Sequence, residues 1–200
     1  MIDYFIQFRT LPRISVRWAE TGRARILLSG GEDEVNSDYQ YWVSKLGLLR
    51  HPEGGYFKEV YRSPEMISDL ELSVQFTDKR NLATSIYFLL TSNDVSHFHR
   101  LNADELWYYH TGSSLTIFMV DRQGVLKELK LGLNLEQGEL PQVVIPSGTI
   151  FGALVNDPDT FSLVSCMVAQ GFDFRDFELL SRESLLQEYP QHEEIVLKLT

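Results

Sequence analysis

Cysteine is almost missing from this chain. Cys166 is the only one in 200 residues, so no internal disulfide can form and nothing calls for an oxidising compartment. Cys166 lies within the apolar run 161–168 and reads as a small core residue rather than a nucleophile. Long apolar runs are missing too, since none approaches the roughly 18 residues of a spanning helix. The expectation is a cytoplasmic protein without a membrane partner. Positive charge is scarce: 18 Lys and Arg face 28 Asp and Glu, a formal charge of -10. Nucleic-acid phosphates need a basic face, which argues against such a partner. Repeats and low-complexity tracts are also absent. What is present is an apolar share of 44% with 12% aromatic residues, enough to fill the core of one domain.

The charge is unevenly spread. Residues 1–31 carry five arginines against Asp3 and Glu20, a balance of +3 in a chain of net charge -10. Residues 1–35 therefore read as an N-terminal extension or arm, ended by the joint Gly30-Gly31-Glu32-Asp33-Glu34, and residues 36–200 as one domain. That domain opens with helical signals. Ser37 with Gln40 makes a capping box, Tyr39, Trp42, Val43 and Leu46 recur at helical spacing, and Gly47 supplies a left-handed end.

His51-Pro52-Glu53-Gly54-Gly55 is turn chemistry, with His51 shaping the turn. The β-rich run 56–61 follows, and Glu59 and Arg62 either project into a barrel mouth or stay on the surface. Segments 81–91 and 161–169 read as buried strands, and 114–120 with 125–131 as a hairpin around Asp121-Arg122-Gln123-Gly124. Strands spaced by about ten residues, with Gly, Pro and Asn turns between them, predict an antiparallel all-β sandwich or barrel. Short helices capped by Ser181 and started by Pro190 end the chain. Phe172, Phe174 and Phe177 read as core or interface packing.

One stretch concentrates the chemistry: 96–112, SHFHRLNADELWYYHTG. Side chains alternate across a strand, so His97 and His99 are expected on one face and Phe98 on the other. After the polar bend 100–104, Glu105, Trp107 and Tyr109 are expected to share a face of the returning strand. Antiparallel pairing of these two strands would set both imidazoles against a carboxylate flanked by aromatics. Such residues serve metal and proton-transfer sites. A solvated polar strand face is the plainer alternative.

His97-x-His99, then Glu105, then Gly112 resemble the first cupin motif, and Gly138, Pro146-Ser147-Gly148 and Asn156 echo the second. Together with LGLLRHPEGGYFKEVYRS and VAQGFDFRDFELLSR, these blocks are similar to the small single-domain cupins of the Cupin_5 type, an RmlC-like family of unknown function. The resemblance implies a double-stranded β-helix, the cupin jelly-roll barrel, with short flanking helices at the N- and C-terminal sides. By analogy it also implies a small-molecule enzyme of the sugar or keto-acid epimerase or isomerase type. His99 would be general base, Glu105 would orient or charge it, and Tyr109 would donate a proton. His97, Arg100, Trp107, Gln142 and Phe151 would contact the substrate, a nucleotide sugar or keto acid. A homodimer paired through an edge sheet is expected. The alternatives are a divalent metal (Zn, Fe, Ni or Mn) held by His97, His99 and Glu105, or a non-catalytic small-molecule binder. Two departures bear on the metal. Five residues separate His99 from Glu105, where the motif has fewer, and Phe151 stands where the second motif supplies a histidine.

Overall fold

In a computed structural model, which describes residues 14–18, 24–28, 38–68, 76 and 78–200, the chain divides into two compact units, Met1–Asn36 and Ser37–Thr200. The first contains an antiparallel ribbon of β1 (Ile14–Trp18) and β2 (Ala24–Leu28), with Arg17 opposite Arg25. The joint expected at 30–34 and the Ser37 cap lie outside the described residues.

The second unit opens with α1 (Tyr39–Leu46). Asp38 caps it, its side chain accepting from the Gln40 N–H at 2.9 Å. Gly47 ends it at φ 67°, the left-handed conformation that a Cβ disfavours. The strands that follow are β3 (Leu49–Arg50), β4 (Tyr56–Arg62), β5 (Met66–Ile67), β6 (Arg80–Asn81), β7 (Thr84–Thr91), β8 (Ser96–Leu101), β9 (Asp104–Gly112), β10 (Leu115–Val120), β11 (Leu126–Leu131), β12 (Glu139–Leu140), β13 (Gln142–Ile145), β14 (Ile150–Val155), β15 (Phe161–Ala169) and β16 (Phe177–Leu179). Two short helices close the chain, α2 (Arg182–Glu188) and α3 (Glu193–Lys198).

Among the described residues, β5 and β6 form a small ribbon, and the remaining strands of this unit make two six-stranded sheets. Their orders are β12-β11-β10-β14-β8-β16 and β13-β9-β15-β7-β4-β3. This is the expected jelly-roll architecture with short terminal helices. The strand expected over 81–91 is broken at Leu82-Ala83, so β6 joins the ribbon while β7 pairs with β4 and β15.

Alternation explains the core. On β7, Phe88 and Leu90 point between the sheets, where they meet Trp107, Ile117, Phe151 and Val164, while Leu89 points outward to Leu163 and the apolar stripe of α1. On the other sheet, Phe98 and Ile150 point outward under Leu185, Ile195, Val196 and Leu199 of the C-terminal segment. Each helix thus seals an outer sheet face, leaving the inner faces to build the barrel interior.

Two β-bulges decide which polar residues face that interior. In β8, Phe151 lies opposite His99 but Ala153 lies opposite Ser96, so β8 contains one extra residue. A bulge inverts the parity beyond it. Ser96 and His99, three apart, consequently come to one face. In β4, Glu59 lies opposite Ile86 and Tyr61 opposite Ser85, so Glu59 and Arg62 are brought together in the same way. The expected pairing of β8 with β9 is not formed, because the bend at Asn102-Ala103 carries the chain from one sheet to the other.

Candidate functional site

A cavity of about 340 Å³ opens between the two sheets. His51, Glu53, His99, Glu105 and Cys166 supply its polar lining, and Phe57, Ile86, Leu101, Val168, Phe172 and Phe177 much of its apolar wall. Glu59, Arg62, Thr84, Asp173 and Phe174 complete it. His99 reaches it from β8 and Glu105 from β9, on opposite sheets.

Glu53 is the hub of a hydrogen-bonded group. Its Oε1 accepts from Ser96 Oγ at 2.9 Å, and its Oε2 lies 3.3 Å from His99 Nε2 and 3.4 Å from His51 Nδ1. Its backbone carbonyl accepts from the His97 N–H at 2.7 Å and faces His97 Nδ1 at 2.7 Å. The loop can press this closely against β8 because Gly54 adopts φ 108°. A Cβ there would stand 2.0 Å from the Val95 carbonyl oxygen.

The tautomer of His99 follows from its partners. Nδ1 is 2.7 Å from the His97 carbonyl oxygen, which can only accept, so Nδ1 carries a hydrogen. Nε2 is the ring's other nitrogen, and it faces Glu53 Oε2. At 3.3 Å this contact is longer than a good charge-assisted bond, so a substrate atom can compete for it. His51 behaves differently. Its Nδ1 accepts from the Glu53 N–H, and burial pushes its pKa down, keeping the ring neutral.

Glu105 is 7% exposed and its Oε2 has no hydrogen-bond partner among the described residues. Burial first, and the nearby Glu53 carboxylate second, push its pKa up to about 8. Trp107 and Cys166 offset part of that rise, but neither closes a hydrogen bond onto Oε2. At neutral pH Glu105 is a carboxylic acid, a potential proton donor. The Cys166 thiol is buried, its pKa raised by desolvation and then by Glu105 and Glu53, so it is protonated and a poor nucleophile.

The segment 172–177 forms the remaining wall. Its aromatic rings pack edge to face, Phe172 on Phe174 at 5.0 Å and Phe174 on Phe177 at 6.1 Å, and Phe177 leans on His99 at 5.3 Å. It is fastened by a buried two-pronged pair, Arg80 Nε to Asp176 Oδ2 at 2.6 Å and Nη2 to Oδ1 at 2.9 Å.

Of the residues given catalytic, substrate-binding or metal roles from the sequence, the structure brings His99 and Glu105 together in this cavity and places the others elsewhere. The β8 bulge turns His97 off the inner face, and it borders a shallow depression with Leu179, Ser181 and Arg182. Arg100 is on the outer surface, paired with Glu178 at 2.5 Å. Trp107 is 1% exposed and packed on Phe88 and Phe151, in the core rather than against the cavity. Tyr109 lies four residues along β9 from Glu105, roughly 13 Å away at strand rise, and its hydroxyl donates to the Gly112 carbonyl. Gln142 is exposed on the edge strand β13. Phe151 touches the back of the His99 ring, with centroids 4.0 Å apart, but does not line the cavity.

The ligand set His97, His99 and Glu105 is therefore not assembled, and no group of three His, Cys, Asp or Glu side chains among the described residues is placed to hold a metal ion. Both His99 nitrogens are already engaged, and Phe151 occupies the place across from it. A resident metal does not fit these donors. Conversely, sequence reasoning left out Glu53, gave His51 and Glu59 with Arg62 only secondary readings, and assigned the three phenylalanines to packing. Two glycines in succession after His-Pro-Glu were the signal that a loop is drawn tightly against another backbone.

Among the described residues no helix is long and apolar enough to cross a membrane. A family profile described as the Cupin superfamily (DUF985) matches residues 40–180. The uncharacterized protein YML079W of Saccharomyces cerevisiae is 31% identical over 164 residues, covering 77% of this chain and 81% of that protein. The crystal structure of protein SO0799 from Shewanella oneidensis shares 49% identity with a TM-score of 0.71, covering 80% of this chain and 96% of that one. A hypothetical protein from Leishmania major shares 39% identity with a TM-score of 0.73, covering 80% of this chain and 97% of that one.

Proposed function

The chain belongs to the Cupin_5 family of the cupin superfamily, and on that footing we propose that it is a proton-transfer enzyme, of epimerase or isomerase type, acting on a small carbonyl compound. The observation that carries the proposal is that His99 and the neutral carboxyl of Glu105 line one cavity from opposite sheets. Proton abstraction next to a carbonyl needs a base at carbon and an acid at oxygen or at the opposite face of the carbon. Environments that separate two groups in proton affinity assign those roles.

In this reading His99 Nε2 takes the proton from carbon. Nδ1–H on the His97 carbonyl holds the ring in place, and Glu53 stabilises the imidazolium that forms. Glu105 delivers its proton to the substrate. The aromatic wall reduces access of water, strengthening both steps.

The test is deuterium incorporation, followed by proton NMR in D₂O, across a panel of small aldoses, ketoses and α-substituted ketones. His99→Ala is expected to lower the exchange rate by about 10²–10⁴, and Glu105→Gln to lower it with the ring intact. Exchange that is unchanged in His99→Ala, or absent from the wild type on every compound, defeats the reading. A non-catalytic binder is the second reading, favoured by the engagement of both His99 nitrogens. It expects compounds of the panel to bind without any exchange.

A further inference from the structure

We infer that the ligand of this cavity carries an ammonium-type cation rather than a phosphate or a carboxylate. The inference rests on the cavity reading above and names the class of molecule it takes. Among the described residues four carboxyl groups line the cavity, those of Glu53, Glu59, Glu105 and Asp173, against one lining cation, Arg62; Glu59 is paired with Arg62 at 2.6 Å and Asp173 with Arg175 at 2.7 Å, which leaves Glu53 and Glu105 without an arginine or lysine partner.

That arginine has nothing left to offer an anion. Nε donates to Glu59 Oε1 at 2.9 Å and Nη2 to Glu59 Oε2 at 2.6 Å. Nη1 donates to Asn81 Oδ1 at 2.9 Å, and Nη1 and Nη2 reach the Phe172 carbonyl at 3.2 and 3.3 Å. A guanidinium has five N–H groups, and these contacts occupy all of them. An incoming phosphate would have to break the pair with Glu59 while standing near Glu53 and Glu105.

A cation meets the opposite situation. Glu105 Oε2 is a buried, unpartnered acceptor on the cavity wall, independent of the count of acids. Phe57, Phe172, Phe174 and Phe177 add aromatic rings, and Phe174 is 57% exposed, so part of its surface is uncovered for an arriving ligand. Ammonium groups are recognised by this combination of aromatic rings and carboxylate. The groups facing Glu105 are Glu53 from the 51–55 loop and Cys166 from β15, with Trp107 on its own strand, and none is a competing cation. A bound ammonium would make Glu105 a stronger acid: a reacting substrate would take its proton, and a ligand with no basic atom at that place, such as choline, would send it to the buffer below pH 8.

The test is calorimetric titration of the full chain with choline, with its uncharged isostere 3,3-dimethylbutan-1-ol, and with propionate. Choline is expected to bind at least about tenfold more tightly than the alcohol. Its heat at pH 7 should vary with the ionisation enthalpy of the buffer. Glu105→Gln should abolish that variation, and Phe174→Ala should weaken choline several-fold more than it weakens the alcohol. Equal binding of choline and the alcohol, tighter binding of propionate, or no choline binding at millimolar concentration overturns the inference. Choline binding requires no turnover. A negative result here therefore leaves the deuterium-exchange test intact, and a loss of exchange there leaves the ammonium preference intact.

Discussion

The 51–55 loop and strand β9 each present one glutamate to the same cavity, and both side chains are largely excluded from water. Glu53 is met by a serine hydroxyl and by two imidazoles within 3.4 Å. Glu105 is met by an indole, a thiol and apolar side chains, and one of its oxygens bonds to nothing among the described residues. Identical functional groups are thereby given different settings. Glu53 has a hydroxyl donor in Ser96 and an imidazole nitrogen of His99 beside it, whereas the surroundings of Glu105 suit it to holding a proton. What distinguishes them is the local backbone: a glycine-rich loop and a bulge gather donors around one, and a regular strand leaves the other among side chains that offer none of good geometry.

Replacing Glu105 with glutamine should remove the largest part of this asymmetry. Below pH 4.5 the carboxyl is protonated in folded and unfolded chains alike and adds nothing to the pH dependence. Between 4.5 and about 8 the unfolded chain gives up a proton that the folded chain retains, so wild-type stability falls as pH rises; above 8 the penalty is complete. Glu105→Gln should lack this decline. The stability difference between the two proteins, from denaturant unfolding at pH 4 and pH 9, should swing by roughly 3–5 kcal/mol in favour of glutamine at the higher pH. Parallel pH profiles would show that water or an unrecognised donor already stabilises the ionised group.

Glu53→Ala probes the other half of the comparison and should act with the opposite sign. It leaves Ser96 and His99 with buried polar atoms that lose a partner, at about 1–3 kcal/mol for each such atom, while His51 Nδ1 keeps the Glu53 backbone N–H. We expect a net loss of about 3 kcal/mol at neutral pH, a fall of roughly 6–12 °C in Tm for a chain of this size. Removal of the Glu53 charge should also lower the pH at which Glu105 titrates, because that charge is the second cause of its raised pKa. A Tm unchanged by Glu53→Ala would mean that the loop, rather than its carboxylate, holds this corner together.

These same features mark the limit of what the sequence shows. Strand-forming runs, the Asp121–Gly124 turn, the Gly47 helix end and the Ser181 cap follow from local chemistry and are found where expected. His99 and Glu105 were recognisable because an imidazole and a carboxylate lie close in a stretch otherwise rich in β-formers. Parity within that stretch was not recoverable, since the β8 bulge has no signature in Ser96-His97-Phe98-His99 and turns His97 away from its neighbour. Sheet membership was hidden as well: a short bend reads as a hairpin, whereas here it transfers the chain between sheets. Glu53 lies more than forty positions before its partners Ser96 and His99, and no local pattern connects it to them. The second bulge similarly made Glu59 and Arg62 companions, which ideal alternation would have separated.

The smallest effect is expected from the residue that the bulge adds to the site. Ser96 is fully buried, and its hydroxyl donates to Glu53 Oε1 at 2.9 Å. Ser96→Ala removes one donor to a charged acceptor without disturbing the strand, so a loss of about 1–2 kcal/mol is expected, roughly 2–8 °C in Tm. Equilibrium unfolding of wild type and Ser96→Ala in parallel reads this directly. A stability unchanged by the substitution would mean that the Ser96–Glu53 bond adds nothing net, the loop being braced instead by the contacts of the Glu53 carbonyl with His97.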